Sequence, residues 1–182
     1  MRKKLLLPLA LKVAASAMGQ DVSALLTDVL VESIALVEGN DPNKIGAHGE
    51  RGWWQMRQCA VDDVNRWRKA CGLDDTSFEE VYGDRNIQRD YALQYLCILQ
   101  ERYRREFGCE PTEKILIGMW NAGKKATKKT RCRNWRMPRE VFEYARRVLN
   151  MRDKILAEQQ SERDAKTEAG LRERGRRLMT QR

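Results

Sequence analysis

A carboxylic acid can hand a proton to a leaving oxygen near neutral pH only if its surroundings keep it protonated, and apolar surroundings do so by disfavouring the charged form. Glu38 has such surroundings available, although by residue type alone it reads first as an exposed helix-terminal residue. It ends the apolar run Ile34 to Val37, and two tryptophans, Trp53 and Trp54, follow one loop later. That loop begins Gly39-Asn40-Asp41-Pro42-Asn43 and continues through Gly46, Gly49 and Gly52 to Gln55. A glycine-dotted loop of this length is usually functional. Asp41, Glu50, Asp62 and Asp63 are the neighbouring acids that could supply a second carboxylate, and none has a motif behind it. Glu32 is the weaker alternative to Glu38, because it stands in the middle of an apolar helical segment.

The elements that must position these residues read as helices. Apolar residues recur at helical spacing between Val22 and Val37 with no proline or glycine among them, and Gly39 is the stop. A second helix is expected from about Trp54 to Ala70, carrying Val61, Val64 and Trp67, with Gly72 after it. Ser77 and Glu80 form a capping box for a short helix ending at Gly83. Asp84 caps the next, which carries Ile87, Tyr91, Tyr95, Leu99 and Tyr103 and ends near Gly108. Pro111 and Thr112 open an apolar segment, Ile115 to Trp120, that closes at Asn121-Ala122-Gly123. Pro138 starts a helix through Val141, Tyr144, Val148 and Leu149. No segment shows sustained strand alternation, so the fold class is all-α.

Outside these elements the chain is polar. Lys124 to Arg136 holds seven basic residues and no acidic one, which predicts an exposed basic loop. After Met151 both charges mix densely, which predicts a solvated helical tail that frays. The domain is therefore expected over 21–150 and the tail over 151–182. Residues 1–20 read either as a secretory signal, with a basic start, a short apolar run and Ala15-Ser16-Ala17, or as the start of the first helix, since Lys12 interrupts the apolar run.

The 35 Lys and Arg against 26 Asp and Glu, a formal charge of +9, favour a polyanionic partner: nucleic acid, an anionic membrane or a cell wall. Cys59, Cys71, Cys97, Cys109 and Cys132 are widely spaced, without a CxxC pair, and His48 is the one histidine. Zinc is therefore not expected, nor a fully disulfide-bonded framework, although one bridge fits an exported chain.

Taken in order, these residues resemble a known signature. Val37-Glu38-Gly39, the Asn-Pro loop, Gly49-Glu50-Arg51-Gly52-Trp53-Trp54-Gln55, Trp120-Asn121-Ala122-Gly123, and Glu140 with Tyr144 before Arg146-Arg147-Val148-Leu149 are similar, in order, to the motifs of the soluble lytic transglycosylases of the lysozyme-like superfamily. The resemblance spans roughly Leu25 to Leu149. Gly39 stands where that family has Ser, the loop is one residue shorter, and Asn86-Ile87 lies about two residues too far from Tyr95-Leu96.

The resemblance implies a lysozyme-like helical domain with a substrate cleft that cuts peptidoglycan glycan strands. Glu38 would be its single catalytic acid and base, with Gln55, Trp120, Asn121, Ala122, Glu140 and Tyr144 around the substrate. It implies no metal, no other cofactor and a monomer, in the cell envelope, secreted, or carried by a phage to a host wall. By residue type alone, Trp120 and Tyr144 are equally core aromatics, and Gln55 equally a helix cap. Three other readings stay open: a hydrolytic muramidase, a wall-binding relative with an inactive cleft, and a basic helical nucleic-acid-binding protein using 124–136 with Trp135 and the tail.

Overall fold

The computed structural model describes residues 28–127 and 137–180 of the chain. The secretory-signal reading of 1–20, and most of the basic stretch 124–136 with Trp135 and Cys132, lie outside these. The described residues form six helices: α1 Asp28–Glu38, α2 Gln58–Ala70, α3 Phe78–Gly83, α4 Arg85–Phe107, α5 Glu113–Thr127 and α6 Arg139–Thr180. No strand occurs among them. The α1–α2 loop folds back on itself, with isolated antiparallel bridges of Ile45 with Arg51 and Arg51 with Met56.

Helix α4 is the centre of the packing, touching α1, α2, α3 and α5, while α6 closes the opposite side against α1 and α5. The sequence shows why α4 can sit there. Tyr91, Ala92, Leu96, Ile98, Leu99 and Tyr103 are all buried, so its apolar surface spreads round the helix rather than along one stripe. Leu30, Val31, Ile34 and Ala35 of α1 and Val141, Tyr144, Ala145 and Val148 of α6 complete the core from the other side. The two α6 pairs, spaced by three within each pair and by four from one pair to the next, present one face inward.

The local signals act where they stand. Ser77 accepts from the Glu80 amide and the Glu80 side chain returns to the Ser77 amide, closing both halves of the capping box of α3. Asp84 accepts from the amides of Asn86 and Ile87 and starts α4, and Gly108, at φ 68°, ends it in the left-handed conformation.

Two expectations need correction. Helix α2 begins at Gln58 rather than near Trp54, because Gly52 and Gln55 both have positive φ, 74° and 45°, and the chain between them turns. The apolar segment does close at Gly123 (φ 66°, ψ −169°), as expected, but a helical backbone resumes beyond this kink to Thr127, so the basic stretch does not begin as a loop. The tail is helical as expected, the α6 backbone running to Thr180. It is solvated as expected, with every residue from Leu156 to Leu171 exposed.

Cys109 is disulfide-bonded, whereas Cys59, Cys71 and Cys97 are free. Among the described residues no group of histidines, cysteines and acids could hold a metal ion.

Candidate active site

Glu38 is the last residue of α1, and the way that helix ends decides where its side chain goes. The Asn40 amide donates to the Ala35 carbonyl at 2.9 Å and the Gly39 amide to the Leu36 carbonyl at 3.3 Å. This crossed pair is the Schellman ending, which needs a left-handed residue just past the cap. Gly39 supplies it at φ 109°. Serine, with a β-carbon, is strained there, which accounts physically for glycine at a position where the resembling family has Ser. The Lys44 ammonium donates to the Glu38 carbonyl, satisfying an acceptor the helix end leaves open and placing a cation at the negative end of the helix dipole.

The Glu38 carboxyl is half-buried, and burial raises its pKa above the ordinary 4.5. The hydrogen bond from Tyr144 and the charges of Lys44 and Arg147 act the other way without cancelling the effect. The Tyr144 hydroxyl, brought from α6, donates to Glu38 Oε1 at 2.6 Å. Burial, and next the nearby Glu38 charge, push the Tyr144 phenol well above its ordinary range, so Tyr144 stays a neutral donor. Tyr144 is thus both a core aromatic and a partner of the acid.

Glu38 opens on a cleft of about 400 Å³, whose walls also include Gln55, Trp120 and Asn121. Gln55 does not cap α2. Its amide donates to the carbonyls of Lys44 and Gly52, both at 2.9 Å, which spends both hydrogens and leaves its oxygen as the atom it can offer the cleft. Trp120 meets Tyr95 of α4 edge to face at 5.7 Å between ring centres, and both line the cleft. Ala122 and Glu140 are exposed and are not among the lining residues. Glu140 lies one turn before Tyr144 on the same side of α6, but it stands in the helix's first turn, where it is exposed.

The remaining acids are engaged elsewhere. Glu32 is bound by Arg85 at 2.7 Å and Arg89 at 3.0 Å, an ion cluster that ties α1 to α4. Asp41 accepts from the Asn43 amide, and Asp62 from Gln58. Asp63 bonds Arg66 and Arg102; burial raises its pKa, but the two guanidiniums hold it below the usual range. Glu50 does line the cleft. Burial opposes its charge, yet its own amide, the His48 amide and Arg57 outweigh that and keep the Glu50 carboxyl below the usual range. Arg57 reaches Glu50 Oε1 at 2.7 Å and His48 N reaches Oε2 at 2.9 Å.

The cleft therefore holds two carboxyls of opposite tendency, Glu38 up and Glu50 down. Such pairs mark acid and base roles in enzymes, although structural ion pairs shift pKa values too. Sequence reading passed over Tyr95, Lys44 and Arg57 as lining residues. For Tyr95 a signal existed: it lies at a four-residue interval from Tyr91 and Leu99 but leans towards the side of α4 that faces Trp120. Lys44 and Arg57 carry no local signal, because their places depend on how the loop turns. A comparison of the chain with models of known protein families and with curated proteins finds no match to either.

Proposed function

We propose that the chain is a lysozyme-like peptidoglycan lytic transglycosylase, with Glu38 as its one catalytic acid and base. The observation that supports it most is that a half-buried Glu38, its pKa raised by burial and its carboxyl bonded to a neutral Tyr144, opens on a cleft shared with Gln55, Trp120 and Asn121. Protonated Glu38 gives its proton to the oxygen joining N-acetylmuramic acid C1 to the next N-acetylglucosamine, and the C1–O bond breaks. The substrate's own acetamido oxygen stabilises the positive charge left at C1. Glu38, now a carboxylate, takes the proton of the muramyl C6 hydroxyl as that oxygen bonds to C1, closing a 1,6-anhydro ring. No water and no second carboxylate enter. That suits a cleft whose other acid, Glu50, is committed to Arg57 and the His48 amide and is a weak base.

The Gln55 oxygen and the Asn121 amide suit hydroxyl and N-acetyl groups, and the Trp120–Tyr95 pair offers an apolar wall to a sugar ring. The charge of +9 suits an anionic wall. The site of action in this reading is the cell wall, reached by export or by phage delivery. A hydrolytic muramidase is the second reading, favoured by the presence of Glu50 on the same cleft, where it could direct a water.

Digestion of purified peptidoglycan, with the released muropeptides identified by mass, separates the readings. Anhydro ends support the transglycosylase and reducing ends the muramidase. No product, with retained wall binding, means an inactive relative. No wall binding, with salt-sensitive binding to DNA, returns the protein to the nucleic-acid class.

A further inference from the structure

The wall of the cleft that carries Gln55 is a loop with little secondary structure of its own, and something else must hold its shape. Gln88, in the first turn of α4, is completely buried. Its carboxamide spans the loop at one point. Gln88 Oε1 accepts from the Trp53 amide at 3.0 Å, and Gln88 Nε2 donates to the Arg51 carbonyl at 2.9 Å. A side-chain amide here bonds the backbone on both sides of Gly52, as a neighbouring strand would.

The fit is close. A β-carbon on Gly52 would lie 2.5 Å from Gln88 Oε1 and 2.6 Å from Nε2, and Gly52 is itself at φ 74°. The next bonds run from Gly52 towards the cleft. Its amide donates to the Lys44 carbonyl at 3.2 Å, and its carbonyl accepts from both the Gln55 amide and the Gln55 side chain. The Lys44 carbonyl accepts the other Gln55 hydrogen, and the Lys44 ammonium bonds the Glu38 carbonyl. An unbroken chain of hydrogen bonds and short peptide links thus joins a buried residue of α4 to the loop that faces the acid.

We infer that Gln88 is a positioning residue of the cleft: through the Gly52 turn it holds the Gln55 carboxamide and Lys44 in register with Glu38. The inference rests on the proposed reading for its effect on glycan cleavage, but not for its effect on the loop. Buried polar side chains persist where all their bonds are made, and Gln88 makes its bonds to one short stretch of loop.

A double-mutant cycle with hydrogen exchange tests it. Gln88→Met keeps the length of the side chain and loses both bonds. It should lower kcat for glycan release by about tenfold to a hundredfold, the cost of a displaced cleft wall. Combined with Gln55→Ala, the double variant should be no slower than the worse single, because both changes remove the same feature. If the two effects multiply, Gln88 does not act through Gln55 and the inference fails. Exchange of the amides of Gly52, Trp53, Gln55 and Met56 should quicken in Gln88→Met while those of α1 and α6 keep their protection. Unchanged loop exchange overturns the inference.

Should the Met variant exchange everywhere, Gln88→Asn, which keeps a shorter carboxamide, takes its place in both measurements. Should the parent protein release no glycan, the glycosidase reading falls, and the loop exchange alone decides the role of Gln88.

Discussion

Glu38 owes its raised pKa first to burial, with Tyr144, Lys44 and Arg147 opposing. Removing the opposing hydrogen bond therefore has a definite sign. Tyr144→Phe should move the alkaline limb of the cleavage pH profile to higher pH, because Glu38 keeps its proton longer. It should also cost about 1 kcal/mol of stability, the usual net worth of such a bond. A limb that moves down, or not at all, would show that the phenol does not bear on the acid. Glu38→Gln should abolish cleavage and leave the protein folded and bound to peptidoglycan, since Gln keeps the size of Glu but neither donates an acidic proton nor acts as a base; positioned acid-base catalysis is typically worth about 10²- to 10⁴-fold. An acid whose folded pKa lies above its unfolded value stabilises the fold fully below that ordinary 4.5 and loses this as pH rises through the folded value. The Gln variant should thus melt no lower than the parent at neutral pH, and the parent should gain on it as pH falls towards 4.5. Glu32→Gln is the control. It should retain most activity and lose about 0.5 to 1 kcal/mol, since its partners Arg85 and Arg89 are partly exposed and screened.

The end of α1 matters as much as the residue it carries. Gly39 at φ 109° turns the chain out of the helix within one residue, so Glu38 remains the last helical position and Lys44 can return to its carbonyl. Gly39→Ser installs the residue of the resembling family, and in this shorter loop it should destabilise by about 1 to 3 kcal/mol, because a side chain is strained at that φ. Denaturant unfolding measures the loss. An unchanged midpoint would mean that the loop accommodates a different turn and that glycine here is incidental. The same logic explains the late start of α2: Trp54 is fully buried, with its indole nitrogen donating to the Val31 carbonyl at 2.8 Å, and a helix through residues 54 and 55 would carry that ring away from α1.

Across the whole molecule the core and the tail separate cleanly. The body is closed by α6 against α1 and α5, and the same helix then continues into solvent with no residue buried between Leu156 and Leu171. Ending the chain at Glu158 should shift stability by no more than about 0.5 kcal/mol, the range of changes that touch no buried feature. Thermal melting of the shortened protein checks it. A large loss would reveal that the tail packs on the body or on another copy of it.

Much of this protein was legible without its structure, and the reason is periodicity and local chemistry. The all-helical class followed from apolar spacing. The capping box of Ser77 and Glu80, the Asp84 cap and the Gly108 stop are read within a few residues, and they act there because hydrogen bonds at helix ends are local. Placing Glu38 at a helix end followed from Gly39. Tertiary structure alone decided which acids are bound into ion clusters and which face the cleft. Glu32 and Glu38 are the same residue type on one helix, yet Arg85 and Arg89 of α4 bind the first and Tyr144 of α6 meets the second across 106 positions of chain. It likewise left Glu140 and Ala122 outside the cleft, brought Tyr95 and Arg57 in, and pinned Gly52 under Gln88. Burial and long-range pairing set a carboxyl's proton affinity, and both arise only when distant helices pack, so no spacing along the chain can state them.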